Sequence, residues 1–231
     1  MPRDHTEQLS EFLQYISTQD HSDSSHLPSL AELSKQMGIS ISSLREQLEV
    51  ARALGLVDVR PKTGIRLLPY TFRPAIQQSV SYAIAIDPNS FKYYADLRKH
   101  IEISYWFEAV SCLTPEDQES LRNLIKKAKI KLMGWPMQVP HAEHRELHLS
   151  MYRRLGNPFV IGVLETYWEL YEAVGLNILN DANYISQVWR YHEKIVEDIC
   201  IGDFNSGYQS LVEHMDLLKD RPKTASKQKF E

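Results

Sequence analysis

His144 and His148 stand four residues apart, His192 follows 44 residues after His148, and His214 lies 22 further on. A separation of four places two side chains on one face of a helix. If His192 and His214 come from two later helices, four imidazoles can converge inside a bundle as ligands for a divalent transition metal. Imidazole nitrogen suits Zn, Ni, Cu or Fe, and metal supply rather than the affinity order decides among them. Zn or Ni is the expected ion. Glu143 is a fallback ligand, but it points about 100° round the helix from His144. The other five histidines (His5, His21, His26, His100 and His141) share no such spacing and read as surface or satisfied side chains. Without a metal, the four in register would line a polar pocket that binds an effector directly, as imidazolium near pH 6.

These ligands require helices. Beyond Pro74 the hydrophobic spacing predicts helices at about 73–85, 89–111, 115–132, 140–155, 157–178, 183–200 and 204–219. Thr114-Pro115-Glu116-Asp117 supplies a cap with proline at the first helical position, and Gly156-Asn157-Pro158 separates two long helices. Gly202-Asp203 starts the last one. From Lys219 onward, five basic and two acidic residues sit among Pro, Thr, Ser and Gln, and 221–231 reads as a flexible tail.

The first seventy residues follow a different pattern. Leu9, Phe12, Leu13 and Ile16 predict an amphipathic helix from Thr6 to about Thr18, broken by the polar stretch Gln19 to His26. Ser29-Leu30-Ala31-Glu32 is a capping box for a second helix, which Gly38 closes. Ser40 to Ser43 can cap a third, with Ile41, Leu44, Leu48 and Ala51 as its buried stripe and Gly55 as its end. Leu56–Arg60 and Ile65–Leu68 then read as two strands around the turn Pro61-Lys62-Thr63-Gly64. Three small helices and a hairpin make a winged helix-turn-helix. The fold class expected is therefore mainly α. Residues 1–70 form the winged helix and residues 75–220 an antiparallel all-α bundle of about seven helices.

The run Leu27-Pro28-Ser29…Glu32-Leu33…Met37-Gly38-Ile39-Ser40…Leu44-Arg45-Glu46…Leu54-Gly55-Leu56-Val57…Arg60-Pro61…Gly64 resembles the DNA-binding domain of the GntR superfamily of bacterial transcription regulators. In a helix-turn-helix the N-terminal part of the second helix enters the major groove, while the wing lies against the backbone. That helix here offers Ser42, Ser43 and Arg45: arginine can read guanine bidentately, and hydroxyls and helix-end N–H groups can hold phosphate. Gly64 lets the wing approach the sugar-phosphate chain closely. Ser29 and Lys62 complete the DNA-binding set. Leu30-Ala31 stand where the family usually has Glu-Arg, and Ile41 where it has a polar residue, so one DNA-facing arginine is missing.

The helical half, from about residue 75 to 218, resembles the FCD ligand-binding domain of the FadR-like branch. Its metal-binding members carry Asp-x-x-x-His on one helix and two histidines on later ones. His144-Arg145-Glu146-Leu147-His148, His192 and His214 match that pattern, with His144 in the place of the aspartate. Exchanging a carboxylate for a neutral imidazole makes the site one unit more positive. The resemblance also places Arg98, in Asp96-Leu97-Arg98…Glu102, near the effector pocket.

Composition narrows the function classes. The 231 residues carry a net charge of −4 and a pI near 6.1, which argues against coating nucleic acid or membrane by bulk charge. Residues 1–69 account for −2 of it, while Arg45–Arg66 holds five basic residues against three acidic, a thin +2 strip. Fewer phosphate contacts mean weaker non-specific binding. No apolar run has the length of a membrane span, and Met1-Pro2-Arg3-Asp4 opens no signal-peptide core. Cys112 and Cys200 alone make neither a disulfide framework nor a Cys-based zinc site. Arg122, Lys126, Lys127, Lys129 and Lys131 read as a solvated basic helix face, and Met151, Trp168 and Tyr171 as core.

The expectation is a cytoplasmic, homodimeric transcription regulator acting as a repressor. It binds palindromic operator DNA and answers to a small organic acid held at the metal, with Arg98 as second anchor. A water-activating metalloenzyme is the weaker reading, since no His-Glu-x-x-His motif is present and the winged helix would have no role. The remaining alternative is a regulator-like protein that binds an effector or a protein partner without reading DNA.

Overall fold

In the computed structural model the described residues are 8–19, 26–61, 64–173 and 181–217. The chain divides into two compact units, 1–79 and 80–231.

The first unit begins with α1 (Glu11–Ser17), which Ser10 caps, and β1 (His26–Leu27). Helix α2 (Leu30–Met37) starts from the Ser29–Glu32 capping box and ends at Gly38 in the left-handed region, φ 70°. Helix α3 (Ile41–Ala53) is capped by Ser40, whose hydroxyl accepts from the Ser43 N–H at 3.1 Å. Strands β2 (Val57–Arg60) and β3 (Gly64–Leu67) pair antiparallel, Val57 opposite Leu67 and Arg60 opposite Gly64. The sheet has three strands rather than the expected two: His26 and Leu27 pair with Arg66 and Ile65, leaving β3 in the middle. A two-residue strand has no periodicity to read; only the free edge of β3 defines it. One core joins the elements, with Phe12 and Ile16, Leu33, Leu44 and Leu48, and Val57, Ile65 and Leu67 buried together. Each such side chain contributes about 1.5–3 kcal/mol by leaving water. Gln47 ties α3 to α1 by accepting from the Phe12 N–H at 2.8 Å. The expected first helix also included 6–7, which, like Lys62 and the tail 221–231, lie outside the described residues.

Helix α4 (Arg73–Ile86) runs across the division between the units. The second unit continues with α5 (Ser90–Ser111), α6 (Pro115–Met133), α7 (His141–Tyr152), a 3-10 turn at Arg153–Leu155, α8 (Pro158–Ala173), α9 (Ala182–Ile201) and α10 (Phe204–Asp216). The expected helix 157–178 is described as far as Ala173. Helix α10 lies along α9 and α5, α9 along α6, and α5 against α7 and α8. The α9–α10 connection is tight: Gly202 ends α9 at φ 81°, and Asp203 immediately caps α10 through the Ser206 N–H. His192 lies ten residues before Gly202 and His214 eleven after Asp203, about three turns from the corner on each helix. An antiparallel pair folded at that corner brings the two rings level. Close approach of α10 to α5 depends on Gly207, which faces the buried Trp106, whose indole N–H donates to the Phe204 carbonyl at 2.9 Å. Among the described residues no helix is long and apolar enough to cross a membrane.

Candidate functional site

All four predicted histidines meet. His144 and His148 project from α7, His192 from α9 and His214 from α10, and one ring nitrogen from each lies within 4.8 Å of the others. His148 and His192 are fully buried, His214 is nearly so, and His144 keeps a little exposure. The Nε2 atoms of His148 and His192 are 3.2 Å apart, and those of His192 and His214 3.1 Å. One imidazole proton cannot satisfy three converging nitrogens. His144 Nε2 is buried without a hydrogen-bond partner; His192 Nδ1 and His214 Nδ1 also lack one, but belong to rings that turn Nε2 toward the cluster. Nitrogens bound to one divalent ion at about 2.0–2.1 Å stand about 3.0–3.4 Å apart, so the spacing and the donor chemistry fit a metal.

Burial, the largest influence, pushes all four imidazoles well below the ordinary histidine range, and the mutual proximity of the rings and Arg98 adds to it. They are neutral bases at pH 7, the state in which a ring nitrogen donates to a metal. Imidazolium near pH 6 is not the form this interior favours. Trp168 and Trp189 wall the cluster, with the Trp168 ring 4.6 Å from that of His144 and the Trp189 ring 4.9 Å from that of His192.

Behind His148 lies a second, charged layer from α5. The buried face of this helix runs Phe91, Tyr94, Arg98, Glu102, Trp106 and Ala109, so Arg98 and Glu102 fall on the core stripe, one turn apart. Glu102 is fully buried; one carboxylate oxygen accepts from Arg98 Nε and the other lies 2.8 Å from His148 Nδ1. Arg98 Nη2 is 3.0 Å from the same nitrogen, and its guanidinium lies over the rings of Tyr167 and Trp168 at 4.5 and 5.3 Å. Burial is the largest influence on Arg98 and works against the cation, but the charge and hydrogen bond of Glu102, with Tyr167 and Tyr152, together outweigh it. Burial likewise pushes the Glu102 carboxyl up, and Arg98 pulls it back. The Tyr152 hydroxyl donates to the Glu102 carbonyl at 2.9 Å, fastening α7 to α5.

Neither Glu102 nor the Trp168–Trp189 wall was among the predicted site residues. The signal available was positional: two opposite charges spaced i, i+4 inside an aromatic stripe. Glu143, the fallback ligand, is taken by Lys131 at 2.6 Å and stands outside the cluster. His100 is exposed beside Asp96, and His26 is exposed in β1. On the basic face of α6, Arg122 and Lys126 reach Glu119 and Lys129 reaches Glu193. Met151, Trp168 and Tyr171 are core residues.

Of the predicted DNA-facing residues, Ser42, Ser43 and Arg45 lie in the first turns of α3, Gly64 begins β3 and Ser29 caps α2. Ser42 and Arg45 are exposed on α3, and Ser43 is half-buried, accepting from Gln47. The Ser29 hydroxyl is held in its capping box by Glu32. Gly64 begins β3 at φ 79°, a backbone conformation that explains the glycine without reference to space, since a Cβ there would touch nothing. Arg60 lies 2.8 Å and Arg66 3.9 Å from Asp58, and Arg52 2.6 Å from Glu49, so acids draw much of the +2 strip's charge.

Comparison with known proteins places this architecture. The FCD domain profile matches residues 94–217, more than half of the chain and the whole ligand cluster with its charged layer. The HTH-type transcriptional regulator LutR of Bacillus subtilis is 22% identical over 204 residues, covering 84% of this chain and 90% of LutR. The uncharacterized HTH-type transcriptional regulator YieP of Escherichia coli is 22% identical over 192 residues, 80% of each chain. The solved structure of Streptococcus agalactiae GntR shares the fold with a TM-score of 0.61 at 14% identity, over 90% of this chain and 95% of that one. A helical half carrying the FCD domain behind a winged helix makes the chain a transcription regulator rather than a metalloenzyme, and it belongs to the FCD family of GntR-type regulators, in the FadR-like branch.

Proposed function

We propose that this chain is a cytoplasmic, homodimeric repressor whose operator binding is controlled by a small organic acid at a metal held by His144, His148, His192 and His214. The observation carrying the reading is the convergence of four neutral, buried imidazoles, with His192 Nε2 brought to 3.2 Å from that of His148 and 3.1 Å from that of His214. A divalent ion there, zinc or nickel, supplies a Lewis-acidic position for a carboxylate. The chain's residues do the rest. Burial keeps the rings deprotonated, the tryptophans exclude water, and Arg98, beside His148, is the second anchor for an anionic effector, which must compete with Glu102 for it.

On the other unit, Arg45, Ser42 and Ser43 at the α3 N-terminus read the major groove, with Ser29, Lys62 and Gly64 against the backbone. A two-fold dimer reads a palindrome with spaced half-sites. The effector must bind one arrangement of the paired winged helices better than the other, because equal affinity for both shifts nothing.

Two measurements test the reading. Metal analysis of the purified protein is expected to find about one zinc or nickel per chain, and His148→Ala is expected to lose it; unchanged metal content in that variant sinks the site. Selection from a random DNA pool is expected to enrich a palindrome. No enrichment at any salt concentration points instead to a regulator-like protein that binds an effector or a protein partner without reading DNA.

A further inference from the structure

A buried ion pair is a weak source of stability, often no better than an apolar pair of the same shape. Arg98 and Glu102 nevertheless occupy the centre of the α5 core stripe, with side chains 2% and 0% exposed. Packing alone does not call for them there. What distinguishes Glu102 is its second oxygen, 2.8 Å from His148 Nδ1. Among the three rings whose Nε2 atoms converge, His148 has this partner at its other nitrogen, whereas His192 Nδ1 and His214 Nδ1 have none.

A neutral imidazole carries one N–H, and which nitrogen holds it decides what the ring can do. With the proton on Nε2, the His148 ring would turn an N–H toward His192 and have no lone pair for a metal. With the proton on Nδ1, the Nε2 lone pair faces the cluster. A carboxylate only accepts, so Glu102 satisfies an Nδ1 proton, while a bare Nδ1 would set two lone pairs against each other at 2.8 Å. Arg98 Nη2, at 3.0 Å, competes as a donor for that nitrogen, but the carboxylate is closer and Arg98 already has Glu102 and two aromatic faces.

We infer that Glu102 is the positioning residue of the metal centre: it fixes the Nδ1-protonated tautomer of His148, aims its Nε2 lone pair at the other three histidines, and is held in place by Arg98. The inference rests on the metal reading above. Partners of this kind behind a ligating histidine change metal affinity by about 10–100-fold.

The test uses the full chain, labelled with nitrogen-15 and stripped of metal with EDTA. Long-range proton–nitrogen correlation spectra at neutral pH, with His148→Gln identifying the ring, are expected to show His148 with Nδ1 protonated and Nε2 bare. Glu102→Leu is expected to move the proton to Nε2 and to weaken zinc binding about 10–100-fold in a chelator competition. Glu102→Gln keeps an acceptor oxygen; it is expected to retain the wild-type tautomer and most of the affinity, and it carries the test should the leucine variant not fold. A merely structural role would lower thermal stability without moving the proton. A bare Nδ1 in the wild type overturns the proposal, as does zinc affinity in Glu102→Leu within twofold of wild type. Wild-type protein that takes up neither zinc nor nickel overturns the metal reading itself, and this proposal with it.

Discussion

Gly207→Ala adds one methyl group where α10 crosses α5. Its Cβ would stand 2.8 Å from Trp106 Cζ2 and 3.4 Å from both Trp106 Cη2 and Asp198 Cβ. Carbon atoms rest at about 3.5–4.0 Å, so α10 and the indole must separate by about 0.7–1.2 Å. Trp106 has little room to yield, being wholly buried and bonded through Nε1 to the Phe204 carbonyl on α10 itself. Alanine gains about 1 kcal/mol over glycine in a helix interior, and overpacking a rigid core costs about 1–3 kcal/mol. The net expectation is a loss of up to about 2 kcal/mol. A second effect follows from position. His214 lies two turns further along α10, and its Nε2 is 3.1 Å from that of His192, so a sub-ångström shift of the helix disturbs the donor spacing. Urea unfolding of the full chain, followed by helical circular dichroism, would measure the first effect in EDTA and the second as the added stability at saturating zinc. Both are expected to fall in Gly207→Ala. A variant about 1 kcal/mol more stable than wild type, with an unchanged zinc response, would mean that helix propensity alone operates and that the Trp106 contact constrains nothing.

Leu33→Ala empties the centre of the winged-helix core, where Leu33 is fully buried, and should cost about 2–5 kcal/mol in urea unfolding monitored through that unit. Arg45→Ala should weaken binding to a selected operator by about 1–3 kcal/mol in gel-shift titration, and equal affinities would remove Arg45 from base reading. Asp117 caps α6 through the Thr114 N–H and receives Arg154 at 2.8 Å; Arg154 first, then that N–H, holds its carboxyl down to about 2, against an ordinary aspartate value of 3.8. The folded state therefore resists protonation longer than the unfolded state, and this stabilisation is complete above about pH 4 and lost as pH falls through about 2. The stability gap between wild type and Asp117→Asn should accordingly shrink over that range, and a gap constant with pH would count against the ion pair.

The parts of the fold that announce themselves in sequence are those governed by local chemistry. Ser29 with Glu32, Ser40, Thr114 with Pro115, and Gly38 each mark a helix end because a cap needs a particular side chain or a left-handed residue there. Strand β1 left no such trace, since two residues have no alternation and its pairing is dictated by β3. The histidines were legible because each replaces an apolar residue on a helical stripe, and spacing alone put His144 and His148 on one face. Glu102 was not. An acid one turn after an arginine usually marks a solvated pair, and only the burial of Phe91, Tyr94 and Trp106 on the same face shows otherwise.

The covering of the histidine cluster sets a timescale. His148 and His192 have no solvent-exposed surface and His214 is 6% exposed, with two tryptophan rings over the remaining approach near His144. Water cannot replace such ligands one at a time from outside, so an ion held there leaves only when α7, α9 and α10 part. Exchange then runs at the rate of local opening rather than that of ligand substitution. An organic acid, larger than water, would meet the same cover, so its access to an ion bound there would be governed by the same opening.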